Sequence, residues 1–407
     1  MRIVFLAPHY PAEMPQFVRA LAECGAEVIG VSDVPASELG REVRRHLTRY
    51  IRTAASLLDE PRARRELGPV LRALAPDRIE ALWEPIVLLA AGLRDDLALG
   101  GMTRDTVLGF RDKQLMKERL AGAGVRVPIS ARASSVDELR AAAEQIGCPV
   151  VVKPIAGAGT ADTYLVADRA ELERVIGKLG HVPELIVEEF IRGEELTYDT
   201  VSIAGRPVFD SVAQYFPKPL ESRTQEWISP AQIVFRDPHA QPELADGVAL
   251  GRRVLDALGM QTGFTHMEWF RTPGGEAVFG EIAARAPGAK LVDQMNWAND
   301  FDVFRGWAQA VLYARFDERA HRRFHVACVF KRAHGSGRIA RITGHDQLRR
   351  ALGPHVVEDA LLGVGTPRRD WKNTLLSDGW IAVRHVDLDT CRAMMRRIVD
   401  DLQMYAQ

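Results

Sequence analysis

Within "FTHMEWFRTPGGEAVFGEIAARAPG", residues 264 to 288, two carboxylates come to face each other if the stretch folds as a hairpin, with no cation placed beside them. Its flanks are rich in β-branched and aromatic residues, and "TPGG" is turn chemistry. A turn centred between Gly274 and Gly275 sets Glu268 opposite Glu281, where like charges are destabilising. Acceptor-only oxygens in such a pair suit a hard cation such as Mg²⁺, which takes one or two carboxylates plus substrate phosphates. Strand alternation adds His266 to the face of Glu268, and Ala283 and Arg285 to the face of Glu281. Arg285 could fork onto a phosphate or a carboxylate; the structural alternative is an Arg–Glu pair within the strands. His266 reads first as a satisfied core histidine and second as a substrate contact.

Three other stretches carry chemistry more weakly. "VVKPIAGAGTADTYLV" sets Lys153 at a strand end before a loop with Gly157 and Gly159. Backbone N–H groups of such a loop can meet phosphate oxygens, with the lysine as a point charge. It is neither a Walker A loop nor a dinucleotide fingerprint, and a hairpin with an exposed lysine is the plain alternative. "ELIVEEFIRGEELTYD" offers Glu188 and Glu189, which could accept from an exocyclic amine or ribose hydroxyls; taken alone it reads as an acidic turn in solvent. "GFRDKQLMKERL" puts Lys113 and Lys117 at i,i+4 on one helix face, which alone reads as a solvated face.

The elements that must position these residues are alternating strands and helices. "RIVFLAP", "PQFVRALAECGA" and "EVIGVS" form a βαβ start, and "RIEALWEP" a later strand. "DKQLMKERLAGAGVRVP" is a helix ended by Gly122 and Gly124. Helix "SVDELRAAAEQIG", strand "PVVVKP", strand "TYLV", helix "RAELERVIGKLG" and strand "ELIVEEFI" follow. The last stretch alternates strands "HVACVFKR", "GRIARITG" and "GWIAVRHVD" with helices "HDQLRRALG" and "DTCRAMMRRIVDDLQ". A chain of 407 residues exceeds one ordinary core. Net charge −1 gives no drive toward nucleic acid or an acidic membrane surface. Cys24, Cys148, Cys328 and Cys391 match no zinc spacing, and no apolar run is long enough to span a bilayer. A soluble, reduced, cytoplasmic protein is the expectation.

Taken in order, Lys113, "VVKP" with its glycine loop, "EEFI-x-G-x-E", "H-x-E" and "GEI-x-x-R" resemble the ATP-grasp superfamily of carboxylate–amine and carboxylate–thiol ligases, over residues from about 105 to 300. "TGFTHMEWF" followed by "GEIAAR" is most similar to its dipeptide-forming L-amino-acid ligases. The resemblance implies an α/β fold, α+β in the ATP-binding part. It implies an N-terminal βαβ domain (1–110), a lid subdomain (111–190), an antiparallel catalytic subdomain (191–315) and a C-terminal α/β subdomain (316–407). ATP and Mg²⁺ are the implied cofactors, with Mn²⁺ the substitute metal. Lys113 and Lys153 would contact phosphates, and Gly157, Ala158, Gly159 and Thr160 would close over them. Glu188, beside Glu189, would meet the adenine amino group, the backbone of Phe190 and Ile191 the ring edge, and Glu195 the ribose. Glu268 and Glu281 would hold the metal, and Arg285 the transferred phosphoryl group or substrate carboxylate.

The implied reaction makes an acyl phosphate and ADP, then an amide, from small carboxylate and amine substrates such as amino acids. A homodimer is the default assembly. Ala283 stands where most relatives carry asparagine, and Asp162 and Thr163 replace a Gly-Val pair. Ala289 falls where biotin-carboxylase-like relatives place a glutamate base, which sets the bicarbonate-activating alternative second. A nucleotide-binding protein without turnover is the other rival. In "AQYFPKPLESRTQEWISPAQIV", Arg223 and Trp227 could read a carboxylate and an apolar side chain, or simply belong to an ordered surface loop.

Overall fold

The computed structural model describes residues 1–155, 162–179 and 181–407. Strands Arg49–Arg52, Glu27–Ser32, Arg2–Leu6 and Arg78–Glu80, in that order, make an all-parallel sheet. Ile3, Val4, Phe5 and Leu6 are fully buried, as a strand covered on both faces requires. The strand expected across "RIEALWEP" stops at Glu80. Pro85 then opens a short 3₁₀ turn, Glu84–Ile86, because proline has no N–H to give a ladder. That early stop leaves Glu84 outside the carboxyl end of the sheet.

A second, antiparallel sheet runs in the order Ser130–Ala133, Leu185–Glu189, Val150–Pro154, Tyr164–Val166. Helices Val136–Ile146 and Arg169–Leu179 share its core. The third sheet is the platform of the molecule. Its order is Ala277–Ala283, Gly263–Arg271, Glu194–Ile203, Ala213–Phe216, Ala231–Val234, His325–Phe330, Trp380–His385 and Val356–Asp359, and Arg206–Ser211 also pairs with Glu194–Ile203. The strands read from "HVACVFKR" and "GWIAVRHVD" therefore extend the sheet that carries the hairpin, while "GRIARITG" belongs to a small separate one.

Each face of the platform is covered for a legible reason. Helix Ala245–Leu258 lies on one face, where Gly247 and Gly251 pack so close to Trp269 and Tyr198 that a Cβ would come within 2.1 Å of either ring. The other face meets the N-terminal unit. Phe17 stands edge-on to Trp307 at 5.0 Å and to Phe304 at 4.9 Å, in a core that also takes in Val201 and Phe264. Among the described residues no helix is long and apolar enough to cross a membrane. The fold is the mixed, antiparallel-sheet architecture expected from the sequence.

His325, at the start of its strand, carries a pH prediction. Burial first, then Arg236 and Arg392, hold its pKa down at about 4, with His385 also lowering it and Asp387 opposing. Its Nδ1 accepts from the Arg236 N–H at 3.1 Å. A histidine kept neutral in the fold stabilises it above the unfolded pKa of about 6.5, and that stability is lost as pH falls toward 4. The urea midpoint of the wild type should drop across that window. His325→Asn, which keeps an acceptor, should flatten the drop; an unchanged slope would remove His325 as its source.

Candidate active site

The hairpin pairing is as read: Glu268 lies opposite Glu281 and His266 opposite Ala283. The path to it differs. Thr272, Pro273, Gly274 and Gly275 form a turn closed by Gly275 N–H to Thr272 O at 2.9 Å, and near it Arg271 pairs with Ala277. A bulge between Glu268 and Trp269, facing Gly280, then restores the Glu268–Glu281 register. A Cβ on Gly280 would sit 2.8 Å from Glu268 O and 3.1 Å from the Phe270 ring. Gly280→Ala should therefore cost about 1–3 kcal/mol of stability by overpacking, read as a lower urea midpoint. A neutral result would show the bulge yields freely.

Of the two hairpin carboxylates, Glu281 does have cations beside it, and here the sequence reading is corrected. Lys113 and Lys117, read alone as a solvated face, are 3% and 2% exposed. Asp112 caps their helix, Lys113–Gly122, by accepting from the N–H groups of Gln114 and Leu115. Lys113 Nζ lies 2.9 Å from Glu281 Oε1, and Lys117 Nζ 2.7 Å from Glu188 Oε1. Lys153, at the end of its strand, bridges Glu188 at 3.0 Å and Glu281 at 3.4 Å. Three ammoniums thus alternate with two carboxylates. Burial alone would raise the pKa of Glu188 and Glu281, but Lys117 and Lys153 for the first, and Lys113 and Lys153 for the second, outweigh it and hold both down.

Strand register explains why Glu195, Thr197 and Asp199 share a face with His266 and Glu268. Asp199 pairs with His266, Thr197 with Glu268, and Glu195 lies one pleat further along. His266 Nδ1 meets Asp199 Oδ1 at 2.5 Å, and Thr197 Oγ1 donates to Asp199 Oδ2 at 2.7 Å. Burial works against a charged ring, but Asp199 prevails and holds His266 near pKa 9. Its Nε2 lies 3.6 Å from Glu268. Burial and then Glu268 push Glu195 up to about 8, with Lys218 opposing.

Arg285 does not pair within the hairpin. Its Nε and Nη2 both reach Glu84 Oε2 at 3.0 Å, while Arg111 Nη1 takes Glu84 Oε1 at 2.9 Å. Glu189 points away from the lysines: it pairs with Arg126 at 2.9 Å and accepts from Ile129 N–H at 3.1 Å. Phe190 lies under the Lys218 ammonium at 5.7 Å, and Ile191 is buried. Arg223 is spent on backbone, donating to the carbonyls of Trp371, Lys372 and Thr374, so its expected carboxylate contact is replaced by a loop tie. Trp227 is 67% exposed. Gly157, Ala158, Gly159 and Thr160 lie outside the described residues.

Glu84, Arg111, Asp199, Tyr215 and Lys218 were not singled out from sequence. Asp199 alone had a local signal, alternating with Glu195 and Thr197 along one strand. Burial, then Glu268, Asp199 and Glu195, raise the Tyr215 phenol far above its usual range, which puts it beside that carboxylate group.

Residues 118–288 match the family model of the ATP-grasp domain. An L-arginine-specific L-amino acid ligase of Bacillus subtilis is 29% identical over 222 residues, covering 53% of this chain and 52% of the relative. The chain spans about half the length of the curated relatives it matches. The L-amino acid ligase of Bacillus licheniformis superposes with a TM-score of 0.79 at 20% identity, over 100% of this chain and 98% of that one. The ADP complex of N5-carboxyaminoimidazole synthetase from Staphylococcus aureus does so with a TM-score of 0.70 at 14% identity, over 98% and 97%. Both likenesses are of fold.

Proposed function

We propose, from the match of residues 118–288 to the ATP-grasp family model, that this chain is an ATP-dependent carboxylate–amine ligase. It would join small acids and amines, amino acids among them, through an acyl phosphate with release of ADP and phosphate. The observation that carries this reading is the convergence of Lys113, Lys117 and Lys153 on Glu188 and Glu281, with Glu268 opposite. Amino-acid substrates are supported by the ligase relatives.

The donor set fits a magnesium nucleotide. Ammoniums match phosphate oxygens, and two opposed acceptor-only carboxylates match a hard divalent ion. Glu268 and Glu281 would hold Mg²⁺, which when bound neutralises charge on the phosphates. The lysines now neutralised by Glu188 and Glu281 would turn to the phosphates, Lys113 and Lys153 foremost. Glu188, with the backbone of Phe190 and Ile191, would receive adenine, and Glu195 the ribose hydroxyls. Water must be kept from the acyl phosphate for the amide to form. Arg285, steadied by Glu84, would orient the carboxylate or the group it accepts. The amine would then displace phosphate to leave an amide.

The test is ADP and AMP release from ATP–Mg²⁺ against amino acids and small carboxylic acids, alone and in pairs, with hydroxylamine as a trap. Carboxylate-dependent ADP with a trapped hydroxamate and no AMP is the expected result. Bicarbonate-dependent ADP would move the chain to the carboxylating branch. AMP formation would overturn the mechanism, and ATP binding without turnover across the panel would overturn the enzyme reading.

A further inference from the structure

The platform sheet has a hollow on the side turned away from the carboxylates. Along Ala213–Phe216, Tyr215 points to the Glu195 and Glu268 side, and Phe216 points the opposite way, against the core under helix Leu388–Asp401. A cavity of about 460 Å³ opens there, walled by Phe216, Trp227, Met395 and Val399, with Lys331 and His334 in its lining. That volume and that mix of apolar walls with few polar groups are those of small-molecule sites.

Two observations point to the occupant. Lys331 is 2% exposed. Its ammonium donates to Val399 O at 2.9 Å and Ile398 O at 3.5 Å, in the last turn of the helix, and makes no ion pair among the described residues. Burial draws its pKa down to about 8, with Asp400 offsetting part of the effect. A buried ammonium met by two carbonyls, with Asp400 offsetting only part of its burial, is under-compensated. At the rim, Trp227 leaves its indole 67% exposed beside an apolar wall, the amphipathic surface that binding sites favour.

We propose that this cavity is a second ligand site, separate from the nucleotide site, for a small carboxylic acid with an apolar body. The carboxylate would pair with Lys331, and the body would lie between Trp227, Phe216 and Met395. The proposal does not depend on the ligase reading.

Isothermal titration of the full chain with 4-phenylbutyrate, without nucleotide, tests it. One saturable site is expected, with 4-phenylbutyramide weaker by about tenfold or more because it cannot complete the ion pair. Trp227→Ala should weaken the acid about fivefold or more, and Lys331→Met about tenfold or more. Lys153→Met should leave the affinity unchanged. No saturable binding, or equal binding of acid and amide, would overturn the proposal. So would loss with Lys153→Met but not Trp227→Ala, which would put the acid in the nucleotide site. If Lys331→Met does not fold, the acid–amide pair and the exposed Trp227 decide.

Discussion

Glu281→Gln is expected to lower turnover of the ADP-forming reaction by about a thousandfold or more, the scale of losing a charge-stabilising group at a phosphoryl centre. Glu281 has two roles under the proposed function. Without nucleotide it holds Lys113 at 2.9 Å and Lys153 at 3.4 Å; with nucleotide it would hold the metal. Glutamine keeps the volume and one oxygen and removes the charge from both. Lys153 retains Glu188 at 3.0 Å, while Lys113, 3% exposed, loses the charge it meets at 2.9 Å. Breaking a buried pair from one side costs about 3–5 kcal/mol, and partial exposure of Glu281 sets the expectation at about 3. The nucleotide-free variant should therefore unfold at lower urea, and Mg²⁺–ATP should restore less stability than it adds to the wild type. A folded variant turning over within about tenfold of wild type would take Glu281 out of the metal site.

How much of this was legible depended on the distance over which each signal acts. Helix Lys113–Gly122 and the strands around Lys153, Glu188 and Glu268 are written in local periodicity and turn residues, and they stand where expected. The Glu268–Glu281 pair was legible because hairpin register follows from the turn, although a bulge at Gly280 corrected a turn that was misread. Burial of Lys113 and Lys117 was not legible: spacing shows that two side chains share a face, and the partner of that face lies far along the chain, at Glu281 and Glu188. Glu84 was invisible for the same reason, since its partner Arg285 is 201 residues away. Arg223 left two readings open, because a lone arginine in a polar loop reads alike whether it meets a ligand or, as here, ties an ordered loop through backbone carbonyls. The glycine spacing of "LADGVALG", which lets helix Ala245–Leu258 settle onto Tyr198 and Trp269, is a packing signal that a search for chemistry passes over.

Arg285→Lys is expected to reduce kcat by about 10²–10³-fold, the range for removing one aimed donor, and to leave apparent ATP affinity within about threefold. The argument rests on shape as much as charge. Arg285 spends Nε and Nη2 on Glu84 and Nη1 on Ala286 O at 3.0 Å, so its plane is fixed before substrate arrives. Lysine keeps the charge but lacks the planar fork, so it cannot grip Glu84 through two nitrogens and fix the direction of its remaining donors. Glu84→Gln should act through Arg285, lowering kcat about tenfold while leaving nucleotide affinity alone, because Glu84 also holds Arg111 and orients the pair without touching the lysine cluster. If Glu84 works by positioning Arg285, the double variant should lose little more than Arg285→Lys alone, with a coupling of about 0.5–3 kcal/mol in the activation energies. Additive losses would instead give Glu84 a role of its own. An Arg285→Lys enzyme with normal kcat and weakened ATP binding would move Arg285 from the reacting carboxylate to the nucleotide.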